Sequence, residues 1–247
     1  MSIEGRLQRD GFALVRAAVP QAVATELASS LCETLQANAD AHGIRRSRGH
    51  IYATRNLGHL WPEARRAEQW LRAALPLDDV LEASARVVRM LYFDKPPGRS
   101  WSLPWHRDTL LAAAPTIPTP TRRVFARAGV PHIHGELEVL ARMLTVRLHL
   151  DTATKENGAL CVVPGSHACT QADLGSAAAS SPADTQVVVA DPGDALLMRP
   201  LLLHKSYDAA PDSARHRRVL HLEFAATEAP APGFSWIDPY AKPAHHT

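Results

Sequence analysis

Two histidines and one aspartate have the residue types and the spacing to hold a divalent metal ion. His106 and Asp108 are separated by one residue, and His204 follows much later in the chain. In an extended segment, residues i and i+2 point to the same side, so His106 and Asp108 can bind one ion together. Two histidines and one carboxylate on one face of a metal leave coordination positions open, which is typical of ferrous enzymes that activate dioxygen.

A His-x-Asp triplet alone is weak evidence for such a site. The chain contains 13 histidines, so the triplet arises readily by chance. The alternative interpretation is a surface loop that happens to carry one histidine and one aspartate. The surrounding elements must therefore be considered before a metal site is predicted.

The predicted elements change character near residue 86. Before this point the pattern favours one short strand followed by helices, because apolar residues recur at helical spacing. The strand is expected at 12–15 and the helices at about 20–39, 62–75 and 78–85. Runs of apolar and β-branched residues bounded by turn residues then predict strands at 87–93, 143–150, 159–163, 186–189, 195–198 and 217–224.

Two connections stand out in the strand-rich part. The sequence Asp-Pro-Gly-Asp at 191–194 is typical of a hairpin turn. The segment 109–135 carries several prolines and is predicted to form a long loop over one face of the domain. The segment after 224 is rich in proline and alanine, and no element is predicted there.

Helices followed by many short strands predict a fold that is mainly β with flanking helices, as in a β-sandwich or barrel. At 247 residues the chain suits a single domain over 1–247, with a helical N-terminal part at about 1–85 and a β core at about 86–226. Hydrophobic residues make up 46% and charged residues 21%, which suits a soluble protein with a sizeable core.

Charge and hydropathy exclude several classes of function. A formal net charge of +2 is too small to indicate a nucleic-acid or anionic-membrane partner. No apolar run approaches the roughly 18 residues expected of a membrane span. The three cysteines lack a Cys-x-x-Cys spacing, which argues against a disulfide framework or a structural zinc site. We therefore expect a cytoplasmic protein whose partner is a small molecule, and the oligomeric state stays open.

Several motifs in a fixed order resemble those of the phytanoyl-CoA dioxygenase family of iron(II)- and 2-oxoglutarate-dependent oxygenases. They are Asp10-Gly11-Phe12, Phe93-Asp94-Lys95-Pro96-Pro97, Leu103-Pro104-Trp105-His106-Arg107-Asp108, Glu156-Asn157-Gly158-Ala159-Leu160, Val163-Pro164-Gly165-Ser166-His167 and Arg217-Arg218-Val219-Leu220-His221-Leu222. The resemblance covers most of the chain and implies a double-stranded β-helix, a jelly-roll or cupin-like barrel. It also implies Fe(II), 2-oxoglutarate and dioxygen as cofactor and cosubstrates.

The resemblance assigns roles to individual positions. It implies that His106, Asp108 and His204 are the iron ligands and that Arg217 binds the far carboxylate of 2-oxoglutarate. A planar guanidinium suits that carboxylate because the two groups pair through parallel hydrogen bonds. Arg218 should face the opposite side of the strand, and Arg215 remains an alternative to Arg217.

Further positions are expected beside the cosubstrate. Ser206 and Leu91 match lining positions of the family, and Arg147 stands where a relative has an aromatic residue, so Arg147 would contact either cosubstrate or substrate. Arg55, followed by Asn56, is expected to face substrate or cosubstrate, and its alternative is a solvated arginine beside a helix-capping asparagine. His149 is either a supporting residue of the site or a hydrogen-bonded core histidine.

The implied reaction is hydroxylation of a small molecule, with release of succinate and carbon dioxide. Asp108 argues against halogenation, because halogenating relatives have a small residue in its place. The arginines near the predicted pocket suggest an anionic substrate. Two other classes stay open: a non-catalytic binding module on the same barrel, and a cupin-type metal-dependent hydrolase or isomerase. Conversion of 2-oxoglutarate to succinate would separate the oxygenase from both.

Overall fold

The computed structural model describes residues 1–98, 100–118, 122–175 and 182–242. Within these ranges the α-helices are α1 (Ile3–Arg9), α2 (Gln21–Ala37), α3 (Ala64–Ala74) and α4 (Leu137–Ala141). The strands up to the middle of the chain are β1 (Phe12–Val15), β2 (Ile44–Ser47), β3 (His50–Thr54), β4 (Arg86–Phe93), β5 (Leu103–His106), β6 (Leu110–Pro115), β7 (Phe125–Arg127) and β8 (Val130–His134). The later strands are β9 (Met143–His149), β10 (Leu160–Val162), β11 (Gln186–Val188), β12 (Ala195–Met198), β13 (His204–Ser206), β14 (Val219–Ala225) and β15 (Phe234–Trp236).

A seven-stranded antiparallel sheet forms the centre of the fold, in the order β1-β12-β9-β14-β4-β3-β2. A four-stranded sheet, β11-β10-β13-β5, packs over part of it. Phe12, Leu196 and Met198 of the large sheet form one buried cluster with Leu160 and Val162 of the smaller sheet. A third sheet, β15-β6-β8-β7, lies beside them.

The central strands β9 and β14 of the large sheet are buried on both faces, and the two faces differ in chemistry. Because side chains alternate along a strand, the apolar residues of β9 and β14 (Leu144, Val146, Leu148, Leu220, Leu222 and Phe224) lie on one face. They form a core cluster with Leu27, Leu31 and Leu71 of α2 and α3. The alternate positions carry Arg147, His149, His221 and Glu223, which are also buried. Functional residues are therefore expected on the buried polar face of the sheet.

The predicted fold class is confirmed: the described part of the chain is mainly antiparallel β with helices on one face, and the sheets do not close into a barrel. The strand at Phe12–Val15 has the predicted bounds. Helices α2 and α3 begin slightly later and end slightly earlier than predicted. No helix among the described residues is long and apolar enough to cross a membrane.

Four predictions of local structure were wrong. The third helix, at 78–85, is only a short 3-10 turn at Leu77–Asp79, because so short a segment gains little from helix propagation. The segment 109–135 is a strand-containing subdomain, since β6 and β7 both pair with β8. The turn at 191–194 is not a hairpin: β11 and β12 lie in different sheets. The last predicted strand begins at Val219 and not at Arg217, and a further strand, β15, follows it.

The turn between β11 and β12 depends on one buried carboxylate. Asp194 accepts hydrogen bonds from the backbone N–H of Ala17 at 2.8 Å and of Asp191 at 2.9 Å, and from Nη1 of Arg16 at 2.7 Å. We predict that Asp194→Ala lowers the free energy of unfolding by about 2–4 kcal/mol, because two amide groups lose their acceptor. Urea denaturation measures this loss.

Asp191→Ala is the matched control for that experiment. Its side chain is 69% exposed, so the substitution should change the free energy of unfolding by less than about 0.5 kcal/mol. Equal effects of the two substitutions would contradict a structural role for Asp194.

His132 on β8 should make stability depend on pH. Its ring is buried, Nδ1 donates to the Val130 carbonyl at 2.9 Å, and burial followed by the charge of Arg89 lowers its pKa from 6.5 to about 4. Between these pH values the unfolded chain binds more protons than the folded one. The free energy of unfolding should therefore fall as pH falls from 6.5 to 4, by up to about 1.4 kcal/mol per pH unit.

The measurement is urea denaturation at several pH values on the wild type and on His132→Asn, whose amide retains a donor near the Val130 carbonyl. The slope should be smaller in His132→Asn than in the wild type. An unchanged slope in His132→Asn would show that His132 does not contribute.

Candidate active site

Strands β5 and β13 bring the two predicted metal-binding histidines together. The strands pair antiparallel, and His106 lies opposite His204 in the register. The centroids of the two rings are 4.2 Å apart. Asp108 lies just after β5, where its backbone N–H donates to the Pro200 carbonyl at 2.9 Å. This contact orients the loop that carries the carboxylate.

The three side chains form a compact cluster. Asp108 Oδ1 lies 3.8 Å from Nε2 of His106, and Oδ2 lies 3.7 Å from Nε2 of His204. One ligand atom from each of the three residues lies within 4.8 Å of the others, so the cluster could hold a metal ion. This arrangement has the two histidines and one carboxylate of the ferrous sites expected from the sequence.

Hydrogen bonds select the histidine tautomer that suits metal binding. Nδ1 of His106 donates to the Pro104 carbonyl at 2.8 Å, and Nδ1 of His204 donates to the Leu202 carbonyl at 2.8 Å. With the proton on Nδ1, the lone pair of each Nε2 is left for a metal. Burial lowers the pKa of His204 to about 4, so its ring is neutral at pH 7.

Asp108 is ionised under the same conditions. Burial alone would raise its pKa, but the charges of His204 and His106 together with His221 and Arg147 lower it to about 2. Neutral imidazole and ionised carboxylate are the forms in which such side chains bind a metal ion. His204 and Asp108 therefore suit a divalent iron ion without a change in their protonation.

A small cationic pocket lies against the cluster. Arg147, Arg217 and Ser206 line it, together with Phe93, Trp101, Leu103, Leu160, His221 and the three cluster residues. The Arg147 and Arg217 side chains are buried, and among the described residues neither Nε has a hydrogen-bond partner. Such orphaned donors indicate that the pocket is built for a ligand that accepts hydrogen bonds.

The charges in the small pocket favour an anion. Burial, followed by repulsion from Arg147, lowers the pKa of Arg217 to about 9. Burial lowers the pKa of Arg147 to about 10. A carboxylate between the two guanidinium groups would offset both the desolvation and the repulsion. The pocket therefore fits the acidic cosubstrate that the sequence led us to expect.

Lys95 belongs to the motif Phe93-Asp94-Lys95-Pro96-Pro97, and no role was predicted for it. Its side chain is fully buried behind this pocket. Its Nζ donates to Ser206 Oγ at 3.3 Å and to the Tyr207 carbonyl, and it lies 5.0 Å from the centroid of the Trp101 ring. Burial, followed by repulsion from Arg217, lowers its pKa to about 7. Lys95 thus ties the end of β4 to β13 beside the metal cluster.

The Glu156-Asn157-Gly158 motif is explained by the same lysine. A Cβ on Gly158 would lie 2.8 Å from Cδ and from Nζ of Lys95, and 2.7 Å from the Tyr207 carbonyl oxygen. Gly158 also has a φ of +83°, which L side chains rarely adopt. Only glycine at this position leaves room for the buried lysine.

A row of charged and polar side chains leads away from the small pocket along the buried face of the large sheet. Arg147 Nη1 donates to Nδ1 of His221 at 3.0 Å, and His221 Nε2 lies 3.4 Å from Glu223 Oε1. Arg89 Nη1 donates to Glu223 Oε1 at 3.1 Å. We call these residues, Arg147, His221, Glu223 and Arg89, the polar row. It connects the small pocket with a second cavity.

The second cavity is a cleft of about 560 Å³ that opens beside the metal cluster. Its lining combines apolar and aromatic side chains with four arginines: Tyr52, Leu91, Phe93, Trp101, Leu103 and Leu110, and Arg45, Arg55, Arg89 and Arg107. His106 and Asp108 border both cavities. A ligand in the cleft could therefore approach a metal ion held by the cluster.

The structure distributes the predicted cosubstrate residues over the two cavities. Arg217, Ser206 and Arg147 line the small pocket, whereas Leu91 and Arg55 lie along the cleft. Asn56 makes no side-chain capping bond to the 3-10 turn that follows it, and its Nδ2 donates to the Ala128 carbonyl at 3.3 Å.

Three further residues from the sequence analysis have clear positions. Arg215 is exposed, and Arg218 faces away from the pocket, where its Nη2 donates to Asp151 at 2.7 Å. His149 is buried beside Arg147 and Arg217, and neither of its ring nitrogens has a partner among the described residues. Burial, followed by the charges of Arg147 and Arg217, lowers its pKa to about 3. His149 is thus not the hydrogen-bonded core histidine of the alternative interpretation.

Comparison with solved structures supports the architecture. A non-heme alpha-ketoglutarate-dependent carbocyclase, SnoK from nogalamycin biosynthesis, aligns with a TM-score of 0.66 at 16% identity, over 94% of this chain and 87% of that one. AviO1 from Streptomyces viridochromogenes Tue57 aligns with a TM-score of 0.62 at 22% identity, over 94% and 96%. EctD from S. alaskensis, solved with 2-oxoglutarate and 5-hydroxyectoine, aligns with a TM-score of 0.64 at 18% identity, over 90% and 74%. At these identities the likeness shows the fold alone.

The sequence itself gives the family. No curated protein sequence matches the chain significantly. The family model of phytanoyl-CoA dioxygenase (PhyH), however, matches residues 7–218, which include the metal cluster and both arginines of the small pocket. The chain therefore belongs to the phytanoyl-CoA dioxygenase family of iron(II)- and 2-oxoglutarate-dependent oxygenases.

Proposed function

We propose that this oxygenase hydroxylates a small organic molecule bound in the cleft, with His106, Asp108 and His204 as its iron ligands. The observation that carries the proposal is the position of the metal cluster between two cavities of different character. The small pocket is closely lined and cationic, as a dicarboxylate requires. The cleft is larger and partly apolar, as an organic substrate requires.

The residues of the small pocket would bind and orient 2-oxoglutarate. Arg217 would hold the far carboxylate through its planar guanidinium, and Ser206 would offer its hydroxyl, which Lys95 orients from behind. Arg147 donates a hydrogen bond to His221, and its positive charge interacts with the Asp108 carboxylate. Lys95 and His221 thus hold Ser206 and Arg147 in place before the ligand arrives, which reduces the cost of ordering these two side chains.

A ferrous ion with 2-oxoglutarate and dioxygen would supply the oxidation, releasing succinate and carbon dioxide and hydroxylating the substrate. The chain's own residues restrict where that oxidation occurs. Phe93, Trp101 and Leu103 line both cavities, so a substrate packed against them would exclude water from the metal cluster. Asp108 occupies the position that a halide would need, which favours hydroxylation over halogenation.

Product analysis distinguishes hydroxylation from other oxidative reactions, and an oxygenase from other classes of protein on this fold. The structurally similar SnoK is a carbocyclase, and SnoN, at a TM-score of 0.62 and 18% identity, is an epimerase. A non-catalytic module or a cupin-type metal protein on the same fold would form no succinate from 2-oxoglutarate. A hydroxylated product of one added oxygen atom, formed together with succinate, is the result expected here.

The metal site gives the first test. We expect the purified apo-protein to bind one Fe(II) per chain under anaerobic conditions, measured by isothermal titration calorimetry. His204→Ala should weaken binding at least about 100-fold, since even residues that only support metal ligands contribute 10- to 100-fold. His134→Ala is the matched control, because His134 lines the cleft but is not in the cluster.

Two outcomes would reject the metal assignment. One is an unchanged Fe(II) affinity in His204→Ala, provided that circular dichroism shows the variant to be folded. The other is an equal loss of affinity in His134→Ala.

The cosubstrate site gives the second test. With Fe(II) bound and oxygen excluded, 2-oxoglutarate should produce the weak visible charge-transfer absorption of a bidentate chelate. Arg217→Ala should raise the dissociation constant of 2-oxoglutarate about 10- to 150-fold, because a charge-assisted hydrogen-bond pair contributes about 1.5–3 kcal/mol. Arg217→Lys should lose less affinity, since it keeps the charge without the planar fork.

Arg215→Ala serves as the control because Arg215 is exposed two residues away. Affinity for 2-oxoglutarate that is the same in Arg217→Ala and in Arg215→Ala would remove Arg217 from the cosubstrate site.

A further inference from the structure

The two ends of the cleft differ in their charged groups. Along β4 the residues Arg89, Leu91 and Phe93 alternate onto the buried polar face, and all three line the cleft. Phe93 also lines the small pocket, whereas Arg89 lies four residues away, about 13 Å at the usual rise of a strand. We call Arg45, Arg55 and Arg89 the arginine end of the cleft.

Among the described residues that line the cleft, Glu223 is the carboxylate at the arginine end. Glu223 lies opposite Arg89 in the pairing of β14 with β4, and Arg89 Nη1 donates to it at 3.1 Å. The same Oε1 of Glu223 lies 3.4 Å from His221. Arg89 also donates to the Leu110 carbonyl at 3.4 Å, while its buried Nε has no partner among the described residues. The negative charge of Glu223 is therefore already shared, and no carboxylate among the described residues pairs with Arg55.

Arg55 has an anchored backbone and an unpartnered side chain. Its backbone N–H donates to the Gly43 carbonyl at 3.0 Å, and the next residue, Asn56, is held by the Ala128 carbonyl. Within the described residues, no hydrogen bond or salt bridge involves the Arg55 guanidinium. Burial, followed by repulsion from Arg89, Arg127 and Arg45, lowers its pKa to about 10, against a smaller opposing effect of Glu223. A guanidinium on an anchored backbone that is partly desolvated among other cations is favourable only with an anion beside it.

The wall between the arginine end and the metal cluster is largely apolar. Tyr52, Leu91, Phe93, Trp101 and Leu110 line it. An inorganic anion would use none of this surface, whereas an organic anion would bury its carbon skeleton there. The shape and the charge of the cleft thus favour a ligand with an apolar body and one anionic end.

We propose that the substrate of this oxygenase is an organic anion whose carboxylate or phosphate group is bound by Arg55 and Arg89. Its apolar body lies along the aromatic wall and presents a carbon atom toward His106 and Asp108. The inference rests on the proposed oxygenase function, and it adds the substrate class and the residues that select it. Arg89 is held in place by Glu223, while Arg55 contributes a charge that no described carboxylate contacts.

The proposal is tested by binding, without turnover, on protein loaded with redox-inert Zn(II) and saturated with 2-oxoglutarate. The probes are naphthylacetate, its uncharged amide naphthylacetamide, and naphthyl phosphate, each titrated by calorimetry. At least one of the two anions should bind about tenfold more tightly than the amide, as expected for a charge-assisted contact. The tighter of the two anions identifies the preferred anionic group.

Arg55→Gln should reduce that preference to less than about threefold and should leave 2-oxoglutarate binding unchanged. Arg86→Gln is the matched control: Arg86 lies on the same strand β4 but donates to the Glu228 carbonyl on the surface. It should keep the full preference. Arg55→Lys should retain part of it, because the charge remains. If Arg89→Gln folds, the same titration on that variant tests the contribution of the second arginine.

Anions that bind no better than the amide, including the case in which no probe binds, would overturn the proposal. So would a preference that survives in Arg55→Gln, or a loss of 2-oxoglutarate affinity in that variant, which would assign Arg55 to the cosubstrate. A separate assay on Fe(II)-loaded protein in air, which measures succinate formed from 2-oxoglutarate, separates this proposal from the oxygenase function. A preference that depends on Arg55, in protein whose Fe(II)-loaded form makes no succinate, would keep the anion site and reject the enzyme.

Discussion

Burial of charged groups on one face of a sheet is the constraint on which the rest of this structure depends. Strands β4, β9 and β14 are covered on both sides, so their alternate side chains meet two different environments. The face toward α2 and α3 is filled with leucine, valine and phenylalanine, which stabilise the sheet. That stability allows the opposite face to hold arginines, histidines and a glutamate away from bulk water.

The cost of this polar face explains how its members are arranged. Each charged side chain either contacts a neighbour in the polar row or borders a cavity where a ligand can complete its contacts. Glu223 compensates Arg89, and Asp108 lies within reach of both histidines. Arg217 and Arg55 lack such partners among the described residues, and each borders a different cavity. The proposals accordingly assign one of these two cations to the cosubstrate and the other to the substrate.

Local sequence indicated His106 and Asp108 as a pair, and the family resemblance was needed to add His204. The two-residue spacing of His106 and Asp108 follows from strand geometry, and the order of motifs selected His204 among 13 histidines. The pairing of β5 with β13, which brings the rings together, is a long-range contact that no local pattern encodes. For the same reason Lys95 was noted only as a motif residue: its partners Ser206 and Tyr207 are distant in the chain. The prolines in 109–135 favour a loop, yet β6 and β8 form there. A proline removes only one N–H donor and is tolerated in a strand where that donor is not needed.

The third sheet connects residues that line the cleft with the late strand β15, which does not line it. Thr109 and Leu110 at the start of β6 and His134 at the end of β8 line the cleft. On its other edge, β6 pairs with the late strand β15, whose Phe234 packs into the same apolar cluster as Leu111 and Ile133. Asp108 precedes β6 by two residues, and Arg89 donates to the Leu110 carbonyl, so this sheet is connected to both the metal cluster and the cleft. Substitutions in β15 can therefore alter the shape of the cleft through β6, although no residue of β15 lines the cleft.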